Sequence, residues 1–346
     1  MANWQSLGEG SSITEHYRAI DLFTDRAALI RRYAAYLNEE PTPGRIVFVH
    51  GEGGIGKSLL LRFLRDKCSK RLLADNWEYL KDRPDEEFQS QLAFAQGATD
   101  LHPVHHQFGA QPTEYERPQN AFDGLLMLRR ALSGRGLAFP LFDFACVWYL
   151  RQIGQLSTDS AKKLFPPEEI GFIVALIGLA TTAVPLARMV PSVLAVVTKH
   201  LGKQFEVYRV SRQLQPETLA RLQSFEPRTE LLEHLPELFA KDLNASMAMP
   251  ASPARIVFLF DQHEAFFGGR HDLSPAEERR DEWLRRLLFN LELNRGVVAM
   301  VAGREYPGWS AMSRVAIPDS LIEPWPLGYL PAPDADLYLR LSLIHI

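Results

Sequence analysis

Three short apolar runs stand out from the mixed polar background of the chain. Residues 46–49 read IVFV, residues 256–260 read IVFLF, and residues 296–302 read GVVAMVA. None alternates between apolar and polar positions. Continuous β-branched runs of this length predict strands buried on both faces, as in a parallel sheet. The first run passes into a glycine-rich turn and then a leucine-rich segment, KSLLLRFL, which predicts a helix.

The pattern changes in the middle of the chain. Residues 170–187, IGFIVALIGLATTAVPLA, run about eighteen positions without a charge. As a helix this stretch would reach about 27 Å at 1.5 Å per residue, barely a bilayer core. Pro185, Arg188 and Pro191 interrupt it, and the aromatic-rich FPLFDFACVWYLRQI precedes it. Two readings stay open, helices buried within the protein and contact with a membrane. Residues 203–246 read as polar amphipathic helices returning to the core.

Composition narrows the class. The 346 residues are enough for one large or two moderate domains. A net charge of −4 gives no electrostatic footprint for nucleic acid. Cys68 and Cys146 are too few for a disulfide framework or a four-cysteine zinc site, which predicts a reducing compartment. The first residues, MANWQSLGEGSS, show no basic flank and no apolar core of a secretory signal, and no internal repeat is visible.

The turn after the first run carries the most specific chemistry. Gly51, Glu52, Gly53, Gly54, Ile55, Gly56, Lys57 and Ser58 spell G-x-x-x-x-G-K-S between a strand and a helix. Glycines let the backbone adopt conformations that a Cβ forbids, so successive N–H groups can wrap a phosphate. The helix that begins here, with Leu59 in its first turn, aims its free N–H groups at the same anion. Lys57 is the candidate for the β- and γ-phosphates, and Ser58 for Mg²⁺.

A phosphate loop needs an acidic partner at the end of another strand. Asp261 ends the IVFLF run and is the candidate second metal residue; Glu264, three positions on, is the candidate that polarises water. The GVVAMVA run leads to Gly303 and Arg304, which places a cation on the same sheet edge, suited to reading a γ-phosphate. His102, His105 and His106 lack a partner at metal spacing and read as strand and loop histidines. His263-Glu264 misses the H-E-x-x-H pattern because position 267 is Phe.

Taken together, GEGGIGKS, IVFLFDQHE and VVAMVAGRE resemble the STAND class of AAA+-related P-loop ATPases, relatives of the NACHT and NB-ARC proteins. LFTDRAALIRRYAAYL (residues 22–37) is similar to the helix preceding the first strand in that class, and LIEPWPLGYLPAPDADLYLRL (residues 321–341) to its last core strand and the start of a helical lid. The resemblance covers roughly residues 20–135 and 250–341. It implies an α/β P-loop NTPase fold of the additional-strand type: a parallel sheet flanked by helices, with right-handed crossovers. Its strands would be 46–49, 104–108, 256–260, 297–302 and 321–325, with 297–302 inserted between the P-loop strand and the Asp261 strand. It also implies that Asp25 and Arg26 lie near the nucleotide base, that the cofactors are ATP and Mg²⁺, and that output passes through protein partners or a homo-oligomer. No Asn-Lys-x-Asp guanine signature is present, which favours ATP over GTP.

The expected organisation is an N-terminal lead (1–24), a first part of the ATPase core (25–135), a large helical insertion (136–249), a second part of the core (250–330) and the start of a lid cut short (331–346). Two function classes follow: a slowly hydrolysing signalling switch in the cytoplasm, and a turnover enzyme, kinase or metabolic ATPase, with a substrate pocket in the insertion. A membrane-associated ATPase is a third.

Overall fold

The structure is a computed structural model, and it describes residues 26–329 apart from positions within 85–96, 114–115, 166–169, 181–223, 250–251 and 269–278. The chain first forms helix α1 (Ala27–Asn38), strand β1 (Ile46–His50), helix α2 (Lys57–Phe63), the short strand β2 (Lys70–Arg71) and helix α3 (Ala74–Leu80). Strands β3 (Thr99–Asp100) and β4 (Val104–Gln107) follow, then helix α4 (Ala121–Ala131). The middle of the chain supplies α5 (Pro140–Gln152), α6 (Thr158–Leu164), α7 (Ile170–Ala180) and α8 (Leu232–Met247). The last part adds β5 (Ile256–Asp261), α9 (Glu282–Asn290), β6 (Val297–Gly303) and β7 (Ile322–Pro326).

Five of the strands make one parallel sheet in the order β4-β5-β6-β1-β7, while β2 and β3 form a separate antiparallel pair. The apolar runs become its central strands because helices cover both faces. Ile46, Phe48, Phe258, Phe260, Ala299 and Val301 join α4, α5, α8 and α9 in one core. The intervening residues Val47, Val49, Leu259, Met300 and Ala302 join α1, α2 and α3 in the other. The strand alternation of period two thus divides an all-apolar sequence between two cores. β6 lies between β1 and β5, in register with both.

The middle of the chain does not stand apart. Helices α5 and α8 are buried in the same core as α4 and α9, and Phe172, Ile173 and Leu176 bring one face of α7 into it. The part of the 170–187 stretch beyond α7 lies outside the described residues. Among the described residues, no helix is long and apolar enough to cross a membrane.

One polar contact ties this region together. Asp242, on α8 and 1% exposed, accepts from the backbone N–H of Phe142 at 2.8 Å, in the first turn of α5, and so satisfies an orphan helix donor from another helix. Its Oδ1 has no hydrogen-bond partner among the described residues. Burial, with the nearby Asp143 adding to it, drives the Asp242 carboxyl well above its ordinary value. A carboxyl raised on folding binds a proton the unfolded chain releases, so stability falls as pH climbs from the ordinary carboxyl value through the folded one. Asp242→Asn keeps the acceptor and removes the charge. Its melting temperature is expected to exceed wild type at pH 8 by an amount that shrinks as pH is lowered, at about 2–4 °C per kcal/mol. A pH-independent difference in thermal melts would refute this.

Candidate functional site

The loop between β1 and α2 is fastened at its start by its neighbours. Gly51 N–H donates to the Arg304 carbonyl at 3.0 Å, and Leu327 N–H donates to the His50 carbonyl at 2.7 Å. The ends of β6 and β7 therefore clasp the end of β1. A Cβ at Gly51 would collide with the Leu327 carbonyl and with Ile55 Cδ1, so only glycine permits this approach. Gly56, at φ 94°, caps α2 in the left-handed region with no side chain on the first-turn N–H groups. Those donors and the positive end of the helix dipole are left facing the loop.

Lys57 is buried at the neck of this loop. Its Nζ donates to the carbonyls of Gly51 at 2.6 Å and Glu52 at 2.7 Å. Of the three ammonium donors, one remains. Burial holds the Lys57 pKa below its ordinary value; Glu264 and Asp261 act to raise it and Arg304 to lower it, which shows that these charges gather around one point. Ser58, the next residue, is half-buried.

Asp261 ends β5 at 1% exposure. Its Oδ1 accepts from Gln262 N–H at 2.9 Å, whereas Oδ2 has no hydrogen-bond partner among the described residues. His105 Nε2, on the neighbouring β4, stands 3.8 Å from that oxygen and likewise has no hydrogen bond among them. Its Nδ1 meets Arg65 Nη1 at 3.3 Å; arginine only donates, so Nδ1 accepts and Nε2 carries the proton. After Asp261 the chain turns through Gln262, a non-glycine residue at φ 62°, into a 3₁₀ turn, His263–Phe267. Such a backbone is strained and persists only where its surroundings hold it. Glu264 lies on this turn. Its Oε1 is 3.3 Å from Arg304 Nε, and its Oε2 is buried without a hydrogen-bond partner among the described residues. The Arg304 guanidinium passes near Gly53, 3.9 Å from where a Cβ would stand.

The turn is held from below by a network the sequence did not advertise. His263 Nε2 and Asp281 Oδ2 are 3.0 Å apart, and the same oxygen accepts from Trp309 Nε1 at 2.8 Å. Arg285 Nε donates to the other oxygen at 2.9 Å. Burial works to raise the Asp281 carboxyl, but the bonds and charges of His263 and Arg285 outweigh it and hold it below its ordinary value. Asp281 sits at the start of α9 and makes no side-chain cap; both its oxygens serve this network instead.

The residues read from the sequence therefore meet. The loop from Gly51 to Leu59, Asp261, Glu264 and Arg304 all lie at the carboxyl ends of β1, β5 and β6. Arg26, at φ 86° before α1, donates through Nη2 to the Gly328 carbonyl at 2.7 Å, on the β7 side of the loop. Tyr329 donates there to Glu52. Asp25 lies outside the described residues. Gly303 is the last residue of β6, and a Cβ there would crowd Phe48 Cζ at 3.1 Å and His263 Cβ at 3.3 Å. It is small so that the His263 turn can close against the sheet. His105 is more than a strand histidine, since it faces the Asp261 carboxylate; only the β4–β5 pairing reveals this.

Fold and loop together define an α/β protein with a five-stranded parallel sheet, helices on both faces, and a glycine-rich strand–helix loop at the sheet's carboxyl edge. Compared with known proteins, the chain matches no family model, no curated protein and no solved structure.

Proposed function

We propose that the protein is a P-loop ATPase that binds ATP with Mg²⁺, hydrolyses it slowly, and works as a regulatory switch of the STAND kind through protein partners or self-association. One observation carries the reading: a buried lysine in a glycine-rich loop faces two carboxylates, each with an unpartnered oxygen, at the ends of parallel strands. Phosphate sites of open α/β sheets form at that edge.

The donors suit the metal. Mg²⁺ favours hard oxygen ligands and is held by one or two protein groups plus phosphates; Ser58 and Asp261 are such a pair. Bound Mg²⁺-ATP supplies the phosphoanhydride and neutralises part of its charge. Lys57 offers its remaining N–H to the phosphates. Glu264 takes the proton of an attacking water. Arg304 makes a charge-assisted contact to the γ-phosphate, which ADP lacks. A ligand shifts a two-state switch only through such differential contacts.

A charged hydrogen bond contributes about 1.5–3 kcal/mol. Arg304→Ala is therefore expected to weaken ATP binding about ten-fold or more, at 1.4 kcal/mol per decade, and to leave ADP binding almost unchanged. Calorimetric titration of both nucleotides with Mg²⁺ tests this. Equal losses would make Arg304 structural, and wild-type protein that binds no ATP would overturn the proposal as a whole.

A further inference from the structure

Beside the first turn of α8, a cavity of about 600 Å³ opens between the middle of the chain and the core. Six arginines line it: Arg117, Arg228, Arg279, Arg280, Arg286 and Arg314. Only two acidic residues of the lining, Glu233 and Glu282, oppose them.

The glutamates do not use up the arginines. Glu233 takes Arg314 at 2.5 Å, and Glu282 takes Arg286 at 2.7 Å. Arg117 pairs with Asp123 at 2.5 Å, and Arg280 with Glu277 at 3.5 Å. Arg228 and Arg279 are exposed and have no ion pair among the described residues. Arg286 is largely buried between Glu237, at 2.9 Å, and Glu282, yet its Nε has no hydrogen-bond partner among the described residues. Guanidinium donors without a carboxylate favour an anion beside them. Guanidinium forks match phosphate geometry and bind it in pairs of hydrogen bonds. Phe266 and Trp283 supply an apolar wall, with the Trp283 N–H already donated to the Gln119 carbonyl at 3.0 Å.

We propose that this cavity binds a small molecule bearing two or more phosphates. Its volume lies in the range of small-molecule sites, about 300–1,000 Å³; carboxylates pair four of the six arginines, which leaves the guanidinium groups of Arg228 and Arg279 and the open Nε of Arg286 to the ligand. The site is distinct from the Gly51–Ser58 loop. Helix α2, which follows the loop, packs on one face of the sheet; α4, α8 and α9 pack on the other. The two sites lie on either side of the His263–Phe267 turn, with Glu264 toward Lys57 and Phe266 in the cavity wall. The inference stands whether or not the loop binds ATP.

The test uses the full chain carrying Lys57→Ala, so that the loop does not report, and titrates inorganic tripolyphosphate by calorimetry. Saturable binding is expected, weakening as salt is raised. Adding Arg228→Ala and Arg279→Ala is expected to weaken it ten-fold or more; both side chains are exposed, and matched thermal melts confirm an intact fold. Citrate, with fewer charges, is expected to bind at least ten-fold more weakly. Absence of tripolyphosphate binding to the Lys57→Ala protein, or equal affinity with and without the two arginines, would overturn the site. Citrate binding as tightly would overturn its assignment to phosphates.

Discussion

Lys57→Ala is expected to weaken ATP binding about ten- to hundred-fold, while the fold survives. Lys57 Nζ already holds the Gly51 and Glu52 carbonyls at 2.6 and 2.7 Å. It therefore shapes the loop, and in the proposed site it would meet the phosphates with its one remaining N–H. One charged hydrogen bond to phosphate at about 1.5–3 kcal/mol amounts to about one to two decades in affinity. The cost to stability is small by comparison. Glu52 is exposed and Gly51 half-buried, so water can replace the lost donor. Lys57→Arg keeps the charge but replaces a compact ammonium by a planar fork, and is expected to recover little. Fluorescent-nucleotide titration, with circular dichroism melts as the control for folding, decides the matter. Wild-type affinity in Lys57→Ala would remove the loop from the phosphate site.

What the sequence disclosed was what depends on local pattern. The runs at Ile46, Ile256 and Val297 are strands because a continuous apolar sequence can be buried only where both faces are covered. G-x-x-x-x-G-K-S is legible because Gly51 and Gly56 meet backbone demands that other residues fail. The less apolar edge strands at 104–107 and 322–326 were found through family resemblance, and the structure has both in the expected places. The rest depends on contacts distant in sequence. Asp281 looks like an ordinary helix-start aspartate until His263 and Trp309 arrive from elsewhere in the chain. His105 matters because β5 lies beside β4, with about one hundred and fifty residues between them in sequence. The arginine cavity has no motif, since its lining comes from separated segments before, within and after the middle region. That region reads as an insertion by length alone, yet its helices complete the same core as α4 and α9.

Glu264→Gln is expected to slow ATP hydrolysis by about 10²–10⁴, the usual contribution of a positioned general base, with ATP affinity within a few-fold of wild type. The substitution keeps the shape of the side chain and removes the proton acceptor. The turn that holds position 264 should not move, because its supports lie elsewhere. Gln262 supplies the left-handed step, His263 is tied to Asp281, and Gly303 lets the turn approach β6. Glu264 Oε2 is buried with no hydrogen-bond partner among the described residues, so its acceptor capacity is unused, unlike that of the Asp261 oxygen bonded to Gln262. Arg304 meets Glu264 at Oε1, at 3.3 Å, and the two residues therefore have separable signatures. Loss at Arg304 should appear in the difference between ATP and ADP affinity. Loss at Glu264 should appear in the single-turnover rate with both affinities kept. Equilibrium titration measures the first quantity, and single-turnover hydrolysis at saturating Mg²⁺-ATP the second. A Glu264→Gln protein that hydrolyses at the wild-type rate would leave Glu264 as the ion-pair partner of Arg304 and nothing more. The base would then have to be sought among the other groups at the carboxyl ends of β4 and β5, beginning with His105.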